Sequence, residues 1–75
     1  MMFIKGKFYQ HTGGRCITVV GEVETYKWGV MFVVEEADKT GHGISCIDKT
    51  AEKNDNWTEI GKAEFMQNFE DKKDA

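Results

Sequence analysis

Seventy-five residues bound the chain to one domain, and a chain this short buries only about 60% of its unfolded surface, so nearly every large apolar side chain is needed in the core. Hydrophobic residues make up 40%, charged residues 31% and the net charge is −3, the balance of a globular chain and not of a disordered one. No apolar run approaches the roughly 18 to 20 residues of a membrane span, and the opening MMFIKGKFY lacks the apolar segment and cleavage site of a signal peptide, so a cytoplasmic protein is expected.

In chain order, KFYQH at 7–11 reads as a short strand and TGG at 12–14 supplies a tight hairpin turn. RCITVVGEVETY, 15–26, is rich in β-branched residues and reads as a long second strand. If its alternation runs unbroken, Ile17 and Val19 share one face with Val23 and Thr25, and Cys16, Thr18, Val20, Glu22 and Glu24 take the other. Gly21 in mid-strand predicts a bulge or a sharp bend, the device that turns a barrel corner. After YKWG, where Gly29 can supply a positive φ, the five consecutive apolar residues Val30 to Val34 predict a strand covered on both faces. The loop DKTGHG leads into ISCID, whose Ile44 and Cys46 point one way and Ser45 and Ile47 the other. KTAEKNDN, 49–56, reads as a surface loop and WTEI as a last short strand.

The closing segment GKAEFMQNFE predicts a helix over 62–69 with Gly61 as its N-cap. Glu64 then stands at N3, where a carboxylate reaches back to the N-cap N–H, and Ile60 and Phe65 have the spacing of a hydrophobic staple. Phe65, Met66 and Phe69 form one apolar stripe, and Lys72 and Lys73 complement the helix dipole at the far end. A helix of two to three turns is marginal alone and must dock, and the outer face of Val30 to Val34 is the expected seat. Phe65 and Phe69 are therefore read as core residues. The whole predicts a mainly β fold, a small SH3-like, partly open barrel of about five strands with one short C-terminal helix packed on it, as a single domain over 1–75 with 71–75 a frayed tail.

The elements GKFYQHTGGR, GEVET, a WG turn, an apolar strand and NWTEIGKAEFMQNF, in that order, resemble short proteins encoded in phages and prophages of Gram-positive bacteria. The likeness covers about residues 5 to 70. It implies a small SH3-like barrel carried on mobile DNA and brings no catalytic residues with it. Where members of that group have Ser at the helix N-cap, Gly61 stands here, which weakens the cap slightly.

Candidate chemistry is sparse. His11, Cys16, His42 and Cys46 have the ligand count of a structural zinc site, but five residues across a tight turn and four along a strand are not the spacings of a zinc knuckle or a helix face, so no metal is expected. Cys16 and Cys46 read as small buried hydrophobes, and a bridge between them requires their Cα atoms to lie within about 7 Å. Nucleophile elbow, phosphate loop and HExxH are all absent, Ser45 beside GHG makes no pair, and neither catalysis nor a cofactor is expected.

Binding remains. Tyr9, Tyr26, Trp28 and Trp57 are the aromatics least clearly assigned to the core, with Trp57 expected beneath the helix and Trp28 either capping a barrel end or joining a recognition surface. The candidate binding surface is Tyr26 and Trp28 with Glu22, Glu24, Glu35 and Glu36, facing a host or phage protein. The alternative is a nucleic-acid face of Lys5, Lys7, Arg15 and Lys27 with Tyr9 as a stacking platform. Residues 1–34 carry +2 and residues 35–75 carry −5, which disfavours that alternative. The third reading is a virion or homo-oligomeric subunit joined through strand edges.

Overall fold

The structure, a computed structural model, describes residues 1–70, the last of these in its backbone only. The expected tail at 71–75 and the dipole partners Lys72 and Lys73 lie outside the described residues. Five strands, β1 (Phe8–His11), β2 (Cys16–Thr25), β3 (Gly29–Asp38), β4 (Gly41–Asp48) and β5 (Trp57–Ile60), are followed by one helix, α1 (Lys62–Glu70). All pairings are antiparallel in one open sheet of order β4-β3-β2-β1-β5, so the last strand returns to lie beside the first. The segment expected as a plain loop begins with a 3₁₀ turn, Lys49–Lys53, because the Asp48 carboxylate accepts the Thr50 N–H at 2.8 Å and starts a helical turn.

The register assigns the two faces. Tyr9, Ile17, Val19, Val34, Phe32, Ile47 and Trp57 lie on one face and form the core together with Phe3. Phe3 comes from the N-terminal segment, folded across that face, and its ring meets Tyr9 at 4.9 Å, Trp57 at 5.3 Å and Phe32 at 5.7 Å. Two polar groups hold it there. The Ile4 N–H donates to the Tyr9 hydroxyl at 2.7 Å, and the Phe3 N–H donates to the Glu52 carboxylate at 2.8 Å. Tyr9 thus serves the core twice, as buried ring and as acceptor. Trp57 is buried as expected, but beneath Phe3 and not beneath the helix.

The opposite face is covered only in part. Phe65 is buried against Phe8, ring to ring at 5.1 Å, and Phe69 reaches His42 at 5.1 Å. Phe8 stands opposite Thr18 and His42 opposite Ala37, so α1 lies over the end of the sheet that holds Cys16, Thr18 and Ala37, all three buried. The expected seat over Val30 to Val34 is therefore corrected. Phe32 and Val34 are buried from the core side alone, Met31 and Val33 are half-buried, and Val30 is exposed. The helix start follows the expectation: the Gly61 carbonyl accepts the Phe65 N–H at 3.2 Å, and Glu64 Oε1 accepts the Gly61 N–H at 3.3 Å.

The alternation expected along β2 does not run unbroken. Val19 stands opposite Val34 and Gly21 opposite Val33, so Val20 is an extra, bulged residue and the faces exchange beyond it. Glu22 and Glu24 then share the core side of the sheet with Val19, and Val23 turns to the outer side next to Met31.

Candidate functional site

β2 and β3 continue past their neighbours. β1 pairs with β2 only from Cys16 to Thr18, and β4 follows β3 only as far as Met31, while the β2–β3 ladder runs on to the pair Thr25 and Gly29. The two strands thus leave the sheet as a short hairpin arm. Its tip is closed locally. Thr25 Oγ1 accepts the Trp28 N–H at 2.9 Å and donates to the Gly29 carbonyl at 2.8 Å, and Gly29 takes φ +71°, the left-handed conformation that suits glycine.

That geometry leaves Tyr26 and Trp28 in solvent, Tyr26 fully and Trp28 61% exposed. Trp28 does not cap the sheet. Lys27 Nζ sits 4.8 Å from the centre of the Trp28 ring, within cation–π range, and a shallow depression opens beside Glu24, Thr25 and Tyr26. Glu24 is exposed near the tip, and Glu22 reaches Lys49 Nζ at 2.7 Å, an exposed ion pair between the arm and the 3₁₀ turn.

The other two acids expected in this surface do not join it. Glu35 stands opposite Thr18 and Ile44 on the outer face, and Glu36 stands opposite Ile17 on the core side, both toward the end of β3 remote from the tip. Glu36 accepts two hydrogen bonds from Arg15, Nε at 2.7 Å and Nη2 at 3.1 Å. Those bonds hold its carboxyl below the usual carboxylate range against the opposing effect of burial, with Arg15's charge and Ser45 assisting. The site is thus Tyr26, Trp28 and Glu24 with Lys27 and Glu22 at its border.

The nucleic-acid face expected from the basic half does not assemble around Tyr9. Tyr9 is 1% exposed with its ring in the core, so no base can stack on it. Arg15 is engaged by Glu36, Lys7 pairs with Glu59 at 3.5 Å, and Lys27 stands at the arm's tip.

His11 and His42 are both drawn to aromatic rings. His11 packs on Trp57 at 4.9 Å while its Nδ1 accepts the Gly13 N–H at 3.1 Å, and His42 meets Phe69. Cys16 is buried and Cys46 exposed, which corrects the expectation that both are buried. Both thiols are free: Cys16 stands opposite Ala37 and Cys46 opposite Val33, four residues apart along β3, with that strand between them. Among the described residues no three His, Cys, Asp or Glu side chains gather as a metal-ligand set, and no helix is long and apolar enough to cross a membrane.

Sequence reasoning missed Phe3 and the exposure of β4. Phe3 sits in a segment weighed only as a candidate leader; the signal for it was the need of so short a chain to bury nearly every large apolar side chain. Compared with known proteins, the chain matches no family model, no curated protein and no solved structure.

Proposed function

We propose that this chain is a non-enzymatic binding module, an SH3-like barrel of the accessory type carried by phages and prophages, which acts in the cytoplasm by protein–protein contact through the tip of its β2–β3 arm. The observation that carries the reading is the exposure of Tyr26 and Trp28 in a chain that buries Phe3, Tyr9, Phe32, Trp57 and Phe65 to 7% exposure or less. With so small a core, two aromatics left in water forgo roughly 1.5 to 3 kcal/mol each of burial. Trp and Tyr are also the residues that dominate binding energy at protein interfaces. Five antiparallel strands, a bulged second strand and a fifth strand returned beside the first support the barrel assignment.

The test compares immobilised wild-type chain with the Tyr26→Ser/Trp28→Ser variant in capture from bacterial lysate, with Lys62→Ser, on the helix, as a control surface change. The same captured protein should be held by wild type and by Lys62→Ser and lost with the tip variant. Equal capture by all three, or no protein held by any, refutes the reading.

A further inference from the structure

We propose that β4 is a self-association edge, on which a second copy of this chain adds its own β4 antiparallel across a two-fold axis at Ser45, joining two sheets into one of ten strands. Two features of β4 carry this. First, it is the outermost strand of the sheet, and among the described residues no further strand covers its edge. Natural edges are blunted by charges, proline, bulges or brevity. β4 runs eight residues in unbroken register with β3, and Gly41 to Ile47 contain no Lys, Arg, Asp, Glu or Pro. The other edge, β5, is four residues long and carries Glu59, paired to Lys7.

Second, the outward side chains of β4 are self-complementary in one register. His42, Ile44, Cys46 and Asp48 share the outer face, because they stand opposite Ala37, Glu35, Val33 and Met31. Ile44 is 68% exposed and stands beside Glu35, and Cys46 is exposed and stands beside the half-buried Val33, with the half-buried Met31 next on that face of β3. Centring the axis on Ser45 sets Ile44 opposite the second copy's Cys46 and His42, at one end, opposite the second copy's Asp48 at the other. Ile44 and Cys46 of the two copies then form one apolar patch across the seam, and the strand's single acid meets its single histidine. Centring on Ile44 instead leaves Asp48 without a facing residue of β4 other than Thr40 of the turn. A chain of net charge −3 repels its copies in general, and this edge, free of Lys, Arg, Asp and Glu from Gly41 to Ile47, is where two of them meet without opposing like charges.

In this arrangement the two β2–β3 arms point away from each other, one at each end of the joined sheet, so a dimer presents two copies of the tip. The self-association itself does not depend on what the tip binds. A single strand pair is smaller than the roughly 1,000 Å² of a stable interface, so the dimer is a weak one, populated at high micromolar protein.

The register is tested by cysteine cross-linking under mild oxidation, with size-exclusion chromatography and light scattering from about 10 µM to about 1 mM. Wild type should move from monomer to dimer mass across that range, and Ile44→Lys, which puts a charge on an exposed edge position without touching the core, should stay monomeric with an unchanged melt. Ile44→Cys, keeping Cys46, should give a covalent dimer, and Ile44→Cys/Cys46→Ser should not. Monomer mass at every concentration overturns self-association. A covalent dimer from Ile44→Cys/Cys46→Ser overturns the Ser45 register, since that product requires position 44 to face itself.

Discussion

Truncating Phe65 to Ala tests how α1 is held. The ring is 2% exposed, 5.1 Å from Phe8 and 5.6 Å from Phe69, and it belongs to a small cluster on the face of the sheet opposite the main core. Phe→Ala in a closed core costs about 3 to 5 kcal/mol, part of which comes from the cavity that remains. Here no closed cavity can remain. A nine-residue helix is marginal by itself, so losing its main anchor lets it leave the sheet, and the cost is capped by the free energy of docking. The lower end, about 3 kcal/mol, is expected, a fall in melting temperature of roughly 12 to 24 °C for a domain of this size. Phe69 is half-buried, and its truncation should cost about half as much. The assay is thermal melting followed by far-UV circular dichroism and by fluorescence in a Trp28→Phe background, where Trp57 reports on the main core alone. In Phe65→Ala the helical signal should melt before the Trp57 signal. A Phe65→Ala melt within about 0.5 kcal/mol of wild type would refute the docking argument.

Tyr9→Phe keeps the ring and removes the acceptor of the Ile4 N–H; it should cost about 1 to 2 kcal/mol and speed hydrogen exchange at Ile4, and unchanged exchange there would show that the N-terminal segment is held without the hydroxyl, by the Phe3 ring and Glu52. Glu36 has a lowered pKa, so its pairing with Arg15 stabilises the fold above the ordinary carboxylate value of about 4.3 and is lost as pH falls through the depressed value. The stability gap between wild type and Arg15→Gln, about 1 kcal/mol after discounting for solvent screening of these part-exposed groups, should therefore be constant above about pH 5 and close in acid; a gap that widens in acid contradicts the assignment. Tyr26→Ser/Trp28→Ser should leave chemical denaturation within about 0.5 kcal/mol of wild type, and a larger loss would mean that the tip aromatics serve the fold and not a partner.

Every strand and the helix are legible in outline because each rests on a local signal, but the expected loop DKTGHG is mostly strand, with Asp38 ending β3 and Gly41 to Gly43 opening β4. TGG and WG mark hairpin turns, β-branched runs mark β2 and β3, and GKAE marks the helix start. What packs on what is less legible. Five apolar residues in a row at Val30 to Val34 promise cover on both faces, but Val30 lies on the arm beyond the reach of β4, and the helix settles over Cys16, Thr18 and Ala37 instead. A helix that starts only five positions after Trp57 follows wherever β5 ends, and β5 pairs with β1, which places Ile60 opposite Phe8 and fixes the helix start beside it. Non-local strand pairing decides this, and periodicity within a segment carries no record of it. The same holds for the candidate surface: Tyr26, Trp28 and Glu24 are neighbours in sequence and stay together, while Glu35 and Glu36 are carried to the far end of the sheet, one on each face.

The bulge at Val20 accounts for the largest remaining discrepancy. Side chains alternate with period two, so one extra residue exchanges the faces of everything beyond it. Gly21 signals that a bulge is near, but not where the extra residue lies, and the choice decides whether the far half of β2 turns Val23 or Glu22 and Glu24 to the core side. With Val20 as the extra residue, the acids face the core side at its rim, Glu22 beside the last core residue Phe32 and Glu24 beside the exposed Val30, and Glu22 can reach Lys49 on the 3₁₀ turn. Without the bulge, Val23 would occupy that side and Glu22 would lie among Met31 and Val33 on the outer face. The arm would then have an apolar side with no core beneath it and a charge buried in its apolar row. The bulge thus separates two requirements on one ten-residue strand: Ile17 and Val19 fill the core, and the residues beyond them carry Tyr26 and Trp28 out of it while an ion pair links the arm to the body of the sheet.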